Sequence, residues 1–192
     1  LYCKSEEGLG GKNINKNNPL TAIKNKIGFI SEDKQKDSIF QFMTVRSNLT
    51  IAILKLVTNI FGVIRLDSER KIAGKIVKNL GIKISSLEQE IRNLSGGNRQ
   101  KVILGRWLAG NQKILLLNEP TKGVDVGARS EFYKILMSLK KQKKAVIILT
   151  SDHREAFAIC EKILLMKNGK IDKTILQEDT SPKQLLSELT KG

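Results

Sequence analysis

Residues 94–125 read LSGGNRQKVILGRWLAGNQKILLLNEPTKGVD, and this stretch decides the fold. Ser95, Gly96 and Gly97 form a loop of small residues. Asn98 to Ala109 follow with Val102, Ile103, Leu104, Trp107 and Leu108 at helical spacing. A small-residue loop that opens a helix offers free backbone N–H groups and a positive dipole end, a setting that suits a phosphate. Ile114 to Leu117 form a continuous apolar run, the pattern of a strand buried on both faces. The run ends in Asn118 and Glu119, two polar residues at the strand's carboxyl end, where parallel sheets collect ligands.

Outward from this stretch, composition narrows the class. A chain of 192 residues holds one domain with a sizeable core. With 40% hydrophobic and 28% charged residues it reads as soluble and globular. The longest apolar-rich stretch, Leu49 to Ile64, is broken by Lys55, Thr58, Asn59 and Gly62 and is too interrupted to span a membrane. No secretion signal is visible. Cys3 and Cys160 lack metal-ligand spacing and read as free thiols. The net charge is +15, from 34 Lys and Arg against 19 Asp and Glu. A Lys-dominated excess reads first as solvated surface, with an anionic membrane face or nucleic acid as the alternatives. Nucleic acid comes last, because the cations are spread along the chain and only Tyr2, Tyr133 and Trp107 join the phenylalanines as stacking surfaces.

The remaining segments fall in order. Leu1 to Asn18 reads as loop. Ile27 to Ser31 reads as a short strand, followed by Glu32 and Asp33. Met43 to Leu54 is a helix with Thr44 as N-cap, and Ser68 to Leu80 is a second, capped by Ser68 and stopped by Gly81. Asp125 to Lys141 is a third, with Phe132, Ile135, Leu136 and Leu139 as its apolar stripe. The basic run from Lys140 to Lys144 suits a helix carboxyl end. Ala145 to Leu149 is another buried strand, followed by Thr150, Ser151, Asp152 and His153, with Asp152 as an N-cap. Lys162 to Met166 and Ile171 to Leu176 form a hairpin on an Asn168-Gly169 turn. Ser181 to Leu189 is a short helix with Ser181 as cap and Pro182 in its first turn.

Taken singly, Ser95-Gly96-Gly97 is an ordinary turn and Asn118-Glu119-Pro120 an ordinary strand end. Their order and spacing give them meaning. Leu94 to Asn98 resembles the LSGGQ signature of ABC transporter ATP-binding subunits, Ile114 to Glu119 resembles the Walker B strand with its glutamate, and Gly123-Val124-Asp125 falls at the D-loop. NEPTKGVDVGAR is similar to the carboxyl-terminal ATPase half of monosaccharide importers of the ribose, galactose and xylose type. The resemblance runs from about Ala22 onward. It implies an α/β fold: an incomplete P-loop NTPase-like core with a helical signature-motif subdomain. Residues 1–192 are then one partial ABC ATPase domain, with a helical insertion over about 40–93 and the signature, Walker B and carboxyl-terminal core over 94–192.

The resemblance also implies roles. Glu119 is the catalytic carboxylate. Ser95, Gly96, Gly97 and Asn98 bind, in trans, the nucleotide held by an opposite domain. Glu32 takes the Q-loop position, Asn118 the Walker B magnesium position, Asp125 the D-loop and Ser151 the switch-histidine position. His153 follows Asp152 instead of preceding it, so the switch role does not pass to it. Asn118 keeps the shape of the family's Asp but not its charge. The cofactors implied are ATP and Mg²⁺, with no dedicated protein metal site beyond magnesium with ATP. The partners implied are transmembrane permease subunits, another ABC ATPase domain and, indirectly, an external sugar-binding protein, with no nucleic acid. The place implied is the cytoplasmic face of the membrane. Phe40, Phe42, Met43, Ile60 and Phe61 either face the permease or pack within the helical subdomain.

No GxxxxGK[ST] phosphate loop occurs in the 192 residues, and the stretch between Lys4 and Asn13 is shorter than the family's β-hairpin. The expectation is a carboxyl-terminal fragment of a sugar-importing ATPase that is inactive in isolation because the phosphate loop is missing. The alternatives are a non-catalytic remnant supplying a signature face or docking surface, a nucleoside importer ATPase, and a ribosome-associated ABC ATPase suggested by the charge.

Overall fold

The structure, a computed structural model, describes residues 19–190. The loop expected before Asn18, the shortened hairpin and Cys3 lie outside the described residues. In chain order the elements are α1 (Pro19–Lys24), β1 (Ile27–Ile30), α2 (Lys34–Asp37), α3 (Val45–Thr50), α4 (Leu54–Val57), α5 (Leu66–Leu80), α6 (Gly96–Ala109), β2 (Ile114–Asn118), α7 (Val126–Lys141), β3 (Ala145–Leu149), α8 (His153–Ile159), β4 (Lys162–Lys167), β5 (Lys170–Leu176) and α9 (Pro182–Thr190). They divide into two compact units.

The first unit takes in residues 19–29, Lys113–Pro120 and 136–190 among those described. Its larger sheet has the order β1-β2-β3. β2 and β3 are parallel, in a register that sets Asn118 beside Leu149. Sequence alone predicts strands buried on both faces, and the structure corrects this. Leu115, Leu117, Val146 and Ile148 are buried, whereas Ile114, Leu116 and Ile147 are half-buried and Leu149 is exposed. Branched and long apolar residues hold the strand geometry throughout, but among the described residues one face has a fuller cover than the other. β4 and β5 form an antiparallel hairpin with a bulge between Leu165 and Met166. Asn168 and Gly169 turn it with φ of 49° and 75°, both in the left-handed region that Asn and Gly enter most readily. Cys160 is buried and in no disulfide among the described residues.

The second unit comprises Ile30–Gln112 and Thr121–Ile135. Val45, Leu49, Ala73, Ile82, Ile91, Leu94 and Val102 make its core. Thr44 caps α3 as expected, its hydroxyl accepting the Ser47 N–H at 3.1 Å. The single helix expected from Met43 to Leu54 is instead α3, a 3₁₀ turn over Ile51–Ile53, and α4. α5 begins at Leu66, one turn ahead of the position expected from Ser68. Asp67 and Glu69 then stand in its first turn, where acidic groups meet the positive end of the dipole. Glu69 is buried there against the Arg46 guanidinium, and its other oxygen accepts the Thr50 hydroxyl at 2.6 Å. Gly81 ends α5 in the left-handed region with φ of 56°. The close approach of α6 depends on Gly105, where a Cβ would lie 2.7 Å from Ile76 Cγ2 and 2.9 Å from Leu49 Cδ2.

At the rim of this unit Glu88 accepts hydrogen bonds from Arg46 and Arg70, and these hold its carboxyl below its usual value of 4.5. A carboxyl with a depressed folded pKa adds stability above its unfolded pKa and loses it as pH falls through the folded value. Thermal unfolding followed by circular dichroism from neutral pH down to about pH 3 is therefore expected to show a shallower acid loss for Glu88→Gln than for the parent, the difference opening below about pH 4.5. An unchanged acid limb would mean that exposure screens these pairs.

Candidate nucleotide site

The site residues fall into two groups, one in each unit. In the first unit β2 delivers Asn118 and Glu119 to the carboxyl edge of the sheet. Glu119 has φ of 46°, a region that costs a non-glycine residue roughly 1–2 kcal/mol. Three hydrogen bonds hold it there. Its N–H donates to Leu149 O at 2.8 Å, its Oε1 accepts the Ser151 N–H at 2.7 Å, and its Oε2 accepts the Thr150 hydroxyl at 3.4 Å. The left-handed turn aims the carboxylate across the strand ends, where backbone strain marks functional positions more often than chance. Ser151 thus meets Glu119 through its backbone.

Asp152 caps α8 as the sequence predicts, accepting the N–H groups of Arg154 at 2.9 Å and Glu155 at 3.4 Å. His153 is the first residue of that helix. Asn118, Glu119, Ser151 and His153 share the polar rim of a cavity of about 360 Å³, with Leu185 and Leu189 of α9 on its apolar side.

In the second unit Ser95 caps α6. Its hydroxyl accepts the Asn98 N–H at 3.4 Å and the Asn98 side-chain amide at 3.0 Å. Asn98 Oδ1 in turn accepts the Lys83 N–H at 2.9 Å. Asn at the fifth signature position is therefore a brace for the turn. The first amides of α6, on Gly96 and Gly97, have no intrahelical acceptor. Gly97 has a steric reason to lack a side chain: a Cβ there would lie 2.4 Å from the Ala128 Cβ on α7. Gly97→Ala is expected to cost about 1–3 kcal/mol, the usual overpacking penalty, read as a lower midpoint in urea unfolding at unchanged slope. Lys101 ties the same face together, donating to Gly81 O at 3.0 Å and to Glu131 at 2.6 Å.

Glu32 pairs with Lys122 at 2.6 Å. Both border a cavity of about 250 Å³ that also touches Gly96, Arg99, Gln100 and Gly123. Glu32, the turn at Gly96 and the segment from Lys122 to Val124 are thereby brought together. Gln100 is 1% exposed and neither polar atom of its amide has a hydrogen-bond partner. Sequence reading passed over Gln100 and Lys122, and only their spacing from Gly96 and Asp125 offered a signal. Asp125 caps α7, accepting the Ala128 N–H at 2.9 Å.

Magnesium with ATP can be tested against this donor set. Among the described residues no cluster of three His, Cys, Asp or Glu side chains is placed to hold a metal. One carboxylate beside one neutral amide suits an ion that takes most of its oxygens from phosphates and water, which is magnesium's habit. The glycine amides at the head of a 14-residue helix suit a phosphate. Each group by itself fits its part: Asn118 and Glu119 a magnesium ion with its waters, the glycine amides a phosphate.

The family model for ABC transporters matches residues 4–122, and the chain belongs to the ABC transporter family. It is 35% identical over 184 residues to the ribose import ATP-binding protein RbsA of Caldanaerobacter subterraneus, covering 96% of this chain and 37% of the relative. It is 37% identical to a putative ribose/galactose/methyl galactoside import ATP-binding protein of Halalkalibacterium halodurans, covering 95% and 35%. The chain spans a little over a third of the length of these relatives. Its fold is that of the ATP-binding cassette MJ0796 in a dimeric ADP and phosphate complex, with a TM-score of 0.68 at 23% identity over 82% of this chain and 66% of that one. The α/β ABC ATPase fold read from the sequence is the fold observed.

Proposed function

We infer that this chain is part of the ATPase that energises sugar import through an ABC transporter. The observation that carries this reading is Glu119, held in a left-handed turn at the carboxyl end of β2 by the Ser151 N–H. The names of the relatives, ribose and galactose import ATP-binding proteins, support the substrate class.

Glu119 is the general base. Its second oxygen has only the long Thr150 contact and is the one available to take a proton from water. Bound magnesium supplies charge neutralisation on the phosphates. Asn118 would offer that ion's waters a neutral amide oxygen, without the charge an Asp would add. Ser95, Gly96 and Gly97 present a hydroxyl and helix-end amides to the terminal phosphate held by an opposite cassette, with Asn98 bracing the turn. Glu32 and Lys122 form the Q-loop corner, and Asp125 holds the start of α7 at the D-loop. The helical region of about 40–93 faces the permease, and the remainder completes the core. Phe40, Phe42 and Met43 are exposed in one loop, which supports docking on a permease over packing within the subdomain. No helix among the described residues is long and apolar enough to cross a membrane. The names of the relatives, import ATP-binding proteins, support a separate permease with this chain against the cytoplasmic face.

Transport decides the substrate. Vesicles carrying the assembled transporter, loaded inside with ATP, are expected to take up labelled ribose, galactose or xylose and to ignore nucleosides. Uptake of nucleosides alone would replace the sugar reading with the nucleoside importer. Restoring the carboxylate with Asn118→Asp is expected to raise ATP turnover several-fold, by about 1 kcal/mol of added charge interaction with the ion. Equal turnover would show that the amide serves as well.

A further inference from the structure

Between α4 and α5 the chain makes a tight turn that the nucleotide chemistry does not use. Thr58 and Ile64 bridge its base, and the Arg65 N–H donates to Val57 O at 2.7 Å. Asn59 organises the tip. Its side-chain oxygen accepts the N–H groups of Phe61 at 2.9 Å and Val63 at 3.0 Å, its own N–H donates to Val63 O, and its carbonyl accepts the Gly62 N–H at 3.0 Å. Gly62 takes φ of 79°, which closes the turn. With its polar backbone satisfied internally, the turn displays apolar side chains outward. Ile60 is 92% exposed and Phe61 83% exposed, and Leu56 and Val63 are each more than half exposed.

Charge says what covers this tip. From Leu54 to Leu66 the sequence carries Lys55 and Arg65 and no carboxylate, within a chain of net charge +15. Both cations are exposed. An apolar apex with cations at its base is the arrangement that inserts at the headgroup boundary of an anionic bilayer, where the apolar groups leave water and the cations meet phosphates. A protein interface surrounds its apolar core with a rim of hydrogen-bonding groups. Here the groups protrude, and the backbone between Asn59 and Val63 is already paired.

We propose that the Ile60–Phe61 turn is a membrane-anchoring wedge that contacts anionic lipid directly, apart from any docking on a permease. Ile60 and Phe61 enter the interfacial layer while Lys55 and Arg65 hold lipid phosphates. The contact adds to whatever holds the cassette at a transporter and does not depend on nucleotide.

The test is sedimentation of the 192-residue chain with permease-free vesicles of phosphatidylcholine alone or with about 30% phosphatidylglycerol. The chain is expected to bind the anionic vesicles, to release as salt rises, and to ignore pure phosphatidylcholine. An Ile60→Ser, Phe61→Ser double variant is expected to lose at least about tenfold in partitioning, while Phe42→Ser, at the other exposed aromatic loop, leaves it unchanged. Phe61→Trp in a Trp107→Phe background gives a second readout, a blue shift of emission with anionic vesicles and quenching by brominated lipid. No binding, binding indifferent to the tip, equal loss from Phe42→Ser, or tip-dependent self-association in place of vesicle binding would each overturn the proposal.

Discussion

Glu119→Gln, in a cassette that also contains a phosphate loop, is expected to lower ATP turnover by about 100- to 10,000-fold while nucleotide binding persists. Gln keeps the length and shape of the side chain, so its oxygen still accepts the Ser151 N–H that the structure gives to Glu119. The Leu149 carbonyl still takes the main-chain N–H and holds the left-handed turn. What disappears is a group able to receive a proton from water as it attacks. Single-turnover hydrolysis measured beside fluorescent-nucleotide binding separates the two effects. Binding retained with hydrolysis lost identifies the base. Turnover within a few-fold of the parent would make Glu119 a strand-end residue whose strain serves only the turn.

The second large effect lies in the helical unit. Arg46 places its guanidinium on both Glu69 and Glu88, and Glu69 is 1% exposed. Removing one partner of a buried pair leaves the other charge without compensation, a loss of about 3–5 kcal/mol. Arg46→Ala is therefore expected to destabilise this unit by about that amount, because the buried Glu69 keeps only the Thr50 hydroxyl. Replacing both partners by apolar residues of similar volume, Arg46→Met with Glu69→Leu, is expected to recover most of the loss. Urea unfolding of the single and double variants reads this directly. A double variant as unstable as Arg46→Ala would show that Thr50 and Glu88 depend on the charges and not on the packing.

A second buried cation behaves differently. Arg106 on α6 has no carboxylate partner among the described residues. It donates to Asn48 O at 2.7 Å and to Asn48 Oδ1 at 3.0 Å, and it lies 5.5 Å from the centre of the Phe40 ring. Burial pulls its pKa down to about 10. Asn48 spends its amide on the Phe40, Met43 and Thr44 carbonyls. The signature helix and the exposed loop after α2 are thus joined through one asparagine.

Much of this was legible in the sequence, for physical reasons that can be named. Helix ends announced themselves where a side chain does the capping: Thr44, Asp152 and Ser181 each accept the amides expected of them. The Asn168-Gly169 turn followed from the φ values only those residues take easily. The start of α5 was misjudged because Ser68 looks like a cap, whereas the first turn is fixed by Glu69 reaching a distant Arg46. At the nucleotide site the residue types were readable but their postures were not. Nothing in the letters marks Glu119 for a positive φ or Gln100 for burial without a partner. Each of these depends on a neighbour more than two residues away in the chain.

Asn118–Glu119 and the Ser95–Gly97 turn are proposed to act on a nucleotide whose phosphates are cradled by a GxxxxGK[ST] loop, a motif that residues 1–192 do not contain. Binding of a fluorescent ATP analogue with magnesium, measured for the 192-residue chain and for a version extended upstream to include a phosphate loop, tests it most directly. Nucleotide binding only by the extended protein is the predicted result. Tight binding by the short chain alone would contradict it.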